Sequence, residues 1–131
     1  MDQWIEVMKE QIPIGHYTLY FTYGESASIV YLLDEVQEIL VEIKFGGILA
    51  VQELNRRKFT KGLNPSIQFV ESDFRNIIYR IIHGKFYEEV NESCSGLLEF
   101  YEAEHYIIVC EDSVFEFIVW DLQYIRCFRN A

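Results

Sequence analysis

Between residues 88 and 125 the chain has no lysine or arginine, yet the same stretch carries ten aspartates and glutamates. Across all 131 residues, 11 basic side chains stand against 21 acidic ones, a formal net charge of −10. That balance argues against nucleic acid as a direct partner, because phosphate binding needs clustered Lys and Arg. The chain also lacks the ~18-residue apolar run of a membrane-spanning helix. Its longest runs, Ile29–Leu33 and Tyr106–Cys110, are strand-sized, so no membrane association is expected. The opening Met1-Asp2-Gln3-Trp4 has neither a basic nor an apolar leader segment, which makes the cytoplasm the expected compartment. Cys94, Cys110 and Cys127 form no CxxC pair, so neither a zinc knuckle nor a redox dithiol is encoded. Three reduced thiols are expected, with Cys110 and Cys127 in apolar strands.

Motifs for catalysis and cofactors are missing as well. Gly46-Gly47 is the only glycine pair, and it precedes a strand pattern with no following GK. Neither a phosphate loop nor a dinucleotide fingerprint is present, and no cofactor is expected. The nearest approach to a metal site is Glu102-x-Glu104-His105, with Glu111 and Asp112 across a hairpin. Strand alternation would set Glu104 and His105 on opposite faces, which counts against it. Cys94 with His105 is the nearest approach to a nucleophile and base. Acidic surroundings disfavour the thiolate such a pair needs. The chain therefore reads as a non-enzyme. The basic run Arg56–Lys61 reads as a solvated loop that balances nearby carboxylates.

What the chain does have is apolar mass. Half its residues are hydrophobic and 16% are aromatic, enough for one folded domain over residues 1–131. Abundant Tyr, Phe, Ile and Val favour strands. The expected fold class is α+β, a mainly antiparallel sheet with an N-terminal helix and one central amphipathic helix over residues 72–83. Trp4, Ile5, Met8 and Ile12 recur at helical spacing behind Asp2. Phe74, Ile77, Ile78, Ile81 and Ile82 make a second helical stripe, with Ser72 as N-cap and Gly84 at the C′ position.

Strands are expected at His16–Tyr23 and Ser28–Leu33, joined as a hairpin, and at Ile48–Leu54. Asp34–Phe45 fits a helix or a strand, with a strand from Ile39 preferred. Glu88–Gly96 reads as an acidic loop. After it comes a four-strand meander: Leu97–Tyr101, His105–Cys110, Val114–Trp120 and Leu122–Phe128.

An acidic surface without catalytic groups suits steered binding of a cationic protein. Two segments add a resemblance: Phe45-Gly46-Gly47-Ile48-Leu49-Ala50-Val51, and the run from His105 to Glu116. With the size and acidity of the chain, they resemble the immunity proteins of bacterial polymorphic toxin and contact-dependent growth inhibition systems. That resemblance implies stoichiometric neutralisation of a cognate toxin domain, a nuclease type being the natural cationic partner. The expected contact set is Glu99, Glu102, Glu104, Glu111, Asp112 and Glu116, all within the stretch that lacks basic residues. Two other readings remain: a small-molecule binding domain or enzyme with a Tyr/Phe-lined pocket, and an adaptor that self-associates through an edge strand.

Overall fold

The computed structural model describes residues 3–8, 11–12, 17–22, 28–55, 77–110 and 113–128. Nine strands and two short helices occur among them. In chain order they are β1 (Gln3–Val7), β2 (Thr18–Thr22), β3 (Ser28–Leu33), β4 (Ile39–Phe45), β5 (Ile48–Asn55), β6 (Ile78–Ile82), α1 (Lys85–Ser93), α2 (Leu97–Phe100), β7 (Glu104–Val109), β8 (Ser113–Val119) and β9 (Leu122–Cys127). One sheet has the order β1-β6-β7-β8-β5 and the other β2-β3-β4-β9, with every pairing antiparallel.

The two sheets pack face to face. Val30, Leu32, Val41, Ile43 and Phe45 of the four-stranded sheet meet Ile78, Tyr106, Ile108, Phe117 and Val119 of the five-stranded one. The Phe45 ring lies 5.4 Å from Tyr106 and 5.7 Å from Phe117, and Phe21 meets Phe117 edge-on at 5.6 Å. Each fully buried Phe or Ile here contributes roughly 1.5–3 kcal/mol by leaving water. The five-stranded sheet is covered on its second face too. Tyr79, Ile81, Ile107, Val109 and Val114 are buried there beside Trp4, and Ile118 lies with Leu98 and Ala103 among Phe86, Tyr87, Val90 and Cys94 of the α1–α2 segment.

Two connections cross between the sheets at one corner. Gly46-Gly47 carries the chain from β4 to β5, and Trp120-Asp121 carries it from β8 to β9. They are joined by hydrogen bonds from Gly46 N–H to the Asp121 carbonyl (2.9 Å) and from Trp120 N–H to the Gly47 carbonyl (3.1 Å). Gly47 has φ +102°, and a Cβ there would stand 3.0 Å from Trp120 Cδ1, so a glycine is required on both counts.

The protein is thus β-rich, and the expected α+β class with an N-terminal helix is overturned. Gln3–Val7 is strand β1, with Trp4 packed against Tyr79 at 5.2 Å; Asp2 lies outside the described residues. Within the expected central helix, Ile78–Ile82 is strand β6, paired with both β1 and β7, while residues 72–76 lie outside the described residues. In β6 both faces are buried, so the strand reads as a near-continuous apolar run that matches a helical period as well as an alternating one. In β1, pairing with β6 engages the backbone of Gln3–Val7 while Trp4 packs on Tyr79, and Ile5 of the helical stripe is left half exposed.

The acidic loop expected at Glu88–Gly96 is largely α1, and Leu97–Tyr101 holds α2 rather than a strand. Gly84, expected to close a helix, is the N-cap that opens α1. The expected meander is broken as well, because β9 leaves β8 and pairs with β4. The β2–β3 hairpin and the strand from Ile39 are as expected. Ahead of that strand, Asp34 Oδ1 accepts from the N–H groups of Val36 and Glu38 (3.0 and 2.9 Å), which closes a turn where the helical alternative would have begun.

Candidate functional site

The α1–α2 segment lies over one end of the five-stranded sheet and builds two neighbouring features. The first is exposed. Gly96, in a left-handed conformation at φ 84°, opens the single turn of α2, and Glu102, at φ 58°, redirects the chain after it. Between these bends Phe100 and Tyr101 project outward, 75% and 58% exposed, with ring centroids 4.9 Å apart at a right angle. Tyr101 meets Trp120, 44% exposed, edge-on at 5.7 Å. Three large aromatics therefore form one surface cluster, drawn from α2 and from the sheet-crossing corner. Exposed Glu99, Glu102 and Asp121 are their direct sequence neighbours.

The second feature is buried. His105 projects from β7 toward the helical segment, 2% exposed, with Phe86 edge-on at 6.0 Å and Tyr87 stacked at 6.3 Å. Its Nε2 lies 2.9 Å from Glu116 Oε1 across the β7–β8 pair, and Gln52 Nε2 donates to Glu116 Oε2. Both oxygens of this carboxylate are thus engaged. A carboxylate accepts, so Nε2–H is the donor of this bond. Nδ1 is buried and has no hydrogen-bond partner. Gly84 makes room for the ring, since a Cβ there would lie 2.6 Å from both Nδ1 and Cε1.

Beside His105 a cleft of about 240 Å³ opens, lined also by Arg80, Tyr87, Glu88, Glu99 and Glu104. Glu104 is heavily used: its Oε1 accepts from Tyr106 Oη (2.8 Å) and the Leu122 N–H (3.2 Å), and its Oε2 lies 3.5 Å from Arg80 Nη2. Burial, then the bond to Glu104, pushes the Tyr106 phenol well above its ordinary pKa. Burial, followed by the Glu99 carboxylate, pushes Tyr87 up as well.

The six acidic residues singled out from the sequence are therefore dispersed. Glu99 and Glu102 are exposed around the aromatic cluster, and Glu99 and Glu104 line the cleft. Glu116 is buried beneath α1, bound to His105 and Gln52. Glu111 and Asp112 lie outside the described residues, as does Arg56–Lys61. Glu104 and His105 do point to opposite sides of β7. Cys94 is half-buried with its Sγ 3.5 Å from the Asn91 carbonyl oxygen, Cys110 is buried and Cys127 is half-buried on β9. Among the described residues no group of three or more His, Cys, Asp or Glu could hold a metal ion, and no helix is long and apolar enough to cross a membrane.

Sequence reasoning missed the aromatic cluster and the His105–Glu116 pair. Tyr101 and Trp120 are 19 positions apart, and no local pattern marks their contact. A signal for α1 was present, since Phe86, Val90 and Cys94 recur at i, i+4 and i+8. Comparison with protein-family models, with curated proteins and with solved structures gives no match.

Proposed function

We propose that the chain is a non-catalytic immunity protein that binds and neutralises a cationic toxin domain, with Phe100, Tyr101 and Trp120 as the anchor of the interface. The observation that carries this reading is the exposed cluster of three aromatics set among Glu99, Glu102 and Asp121. Protein interfaces concentrate their energy in Trp and Tyr anchors near the centre. Carboxylates at the rim steer a positively charged partner and speed its association. The buried His105–Glu116 pair supports a structural role for that dyad, because every atom of it that could act as a base is sealed or engaged.

The small-molecule reading draws support from the cleft beside His105. At about 240 Å³ it is smaller than the roughly 300–1,000 Å³ of typical ligand pockets, so it stands second. The direct test is co-expression with the product of the adjoining reading frame. The proposal expects a stoichiometric complex, protection of growth, and loss of both in a Tyr101→Ala/Trp120→Ala variant that still folds. Protection that survives this double substitution, or the absence of any complex, would sink it.

A further inference from the structure

We propose that the outer edge of β9 is a self-association site, where a second copy of the chain pairs its own β9 antiparallel about a two-fold axis. The inference is read from this chain's backbone, packing and charge, and it does not depend on the toxin reading.

The edge is open in hydrogen bonding. Among the described residues β9 pairs with β4 alone. The Phe128 N–H donates to the Leu40 carbonyl at 2.8 Å, and Arg126 and Tyr124 lie opposite Glu42 and Lys44. Main-chain groups alternate sides along an antiparallel strand. Those of Phe128, Arg126 and Tyr124 therefore face β4, and those of Ile125 and Cys127 face away from it. A second extended chain meets a row of donors and acceptors there.

The core is open along the same edge. Val41, Ile43 and Phe45 of β4 are fully buried. Leu122, Ile125 and Cys127, packed on the same core from β9, are only half-buried, and Phe128 beyond them is 46% exposed. An added strand must bring apolar groups at alternate positions, which β9 itself does. Edges that stay unpaired carry charge, proline or a bulge. β5, an edge of the other sheet, has Glu53 and a bulge between Ile48 and Ala50. From Tyr124 to Phe128 the chain has no proline, no carboxylate and no register shift.

Charge selects the occupant and its register. Arg126 is the one charged side chain of β9 in a chain of net charge −10, so two copies meet at this edge without opposing carboxylates. Centring the pair on Arg126 would set two guanidiniums face to face, which destabilises a sheet. Centring it on Ile125 sets each Arg126 opposite Tyr124 of the second copy. Within one chain Arg126 already lies over the Tyr124 ring at 4.8 Å, so the contact across the axis repeats a pairing the sequence supports. A patch that complements itself closes as a two-fold dimer and does not propagate. Trp120 precedes the axis by five residues in each copy, which sets the two aromatic corners about 30 Å apart.

The test uses the full chain alone. A single strand pair buries less than the roughly 1,000 Å² of a stable interface, so sedimentation is followed from about 10 µM to about 1 mM. The expected mass rises toward two chains. Ile125→Lys sets two ammonium groups against each other at the axis and should weaken association about tenfold or more, with near-ultraviolet circular dichroism reporting its fold. A second measurement holds whether or not that variant folds. Tyr124→Cys and Arg126→Cys chains, each also carrying Cys127→Ser, are mixed with oxidised glutathione. The mixture should give a disulfide-linked dimer that neither chain gives alone, because only the mixed pair sets the two thiols opposite each other while one Arg126–Tyr124 contact survives. A single-chain mass up to about 1 mM, undiminished association of a folded Ile125→Lys, or equal crosslinking of mixed and unmixed chains overturns the proposal. Ile125 and Cys127 amides that gain exchange protection only when a foreign partner is added assign the edge to that partner and overturn the second copy.

Discussion

Adding a single methyl group at Gly84 should destabilise the protein by about 2 kcal/mol, and the cost should depend on His105. Gly84 has φ −76°, which any residue adopts, so the penalty contains no backbone strain. The new Cβ would stand 2.6 Å from His105 Nδ1 and Cε1 and 2.8 Å from Ile81 Cγ2. Ordinary carbon contacts lie near 3.5–4.0 Å, so the ring would have to retreat by roughly 1 Å. Retreat is opposed on several sides, by the 2.9 Å bond to Glu116, by Gln52 behind that carboxylate, and by the Phe86 and Tyr87 rings.

Overpacking of this kind costs about 1–3 kcal/mol. A poorer N-cap adds roughly 0.5 kcal/mol. Against these, the stiffer unfolded chain returns roughly 0.4–1 kcal/mol. A net loss of about 2 kcal/mol lowers Tm by roughly 7 °C for a chain of this length. The assay is urea unfolding of Gly84→Ala in two backgrounds: wild type, and His105→Ala/Glu116→Gln, in which ring and buried charge are removed together. The expected coupling is about 1.5 kcal/mol or more, with the m-value unchanged. A Gly84→Ala penalty equal in the two backgrounds would refute the packing argument, and so would a wild-type penalty below about 0.5 kcal/mol.

Further expectations concern the pair, the corner, the phenols and the surface. Glu116→Ala removes the acceptor of His105 Nε2 and of Gln52, and should cost about 3–5 kcal/mol by chemical denaturation; a loss below 1 kcal/mol contradicts a buried dyad. Gly47→Ala forces a non-glycine residue to φ +102° against Trp120 and should cost at least ~1 kcal/mol; its Trp120 fluorescence should also shift, and unchanged emission with unchanged stability counts against that corner. Tyr106 has a raised pKa in the folded state, so its share of stability is fully present below the ordinary phenol value near 10 and falls as pH climbs beyond it. Tyr106→Phe should therefore flatten the decline of stability above pH ~10, and an unaltered alkaline limb would contradict the shift. Charge reversal at Glu99 and Glu102 should slow association with the toxin domain and leave the dissociation rate nearly unchanged.

Much of the four-stranded sheet was legible because it is half-buried. β3 alternates strictly between buried and partly exposed residues, and the hairpin from β2 carries a turn signal at Gly24-Glu25-Ser26. The five-stranded sheet hid itself. Ile77, Ile78, Ile81 and Ile82 fit a helical stripe because Ile78 serves one covered face while Tyr79 and Ile81 serve the other. Charge density masked α1, whose apolar stripe of Phe86, Val90 and Cys94 is interleaved with Glu88, Glu89 and Glu92.

For the candidate site, the absence of basic residues from 88 to 125 marked a stretch of chain but not how the fold distributes it. Glu116 lies in that region and is buried, because strand alternation turns it under α1. The aromatic cluster depends on two sheet-crossing connections meeting at one corner, a tertiary fact without a local sequence pattern. That corner is where Gly46-Gly47 lies, a pair the sequence marked only as a break.

The central claim is that Phe100, Tyr101 and Trp120, ringed by carboxylates, form the face that captures a cationic toxin domain. It is tested most directly by the association and dissociation rates of that complex across ionic strength, for the wild type and for Trp120→Ala. The account predicts an association rate that falls steeply with salt in both proteins, and a dissociation rate raised about 30-fold or more by the substitution. Salt-independent association together with an unchanged dissociation rate in Trp120→Ala would contradict it.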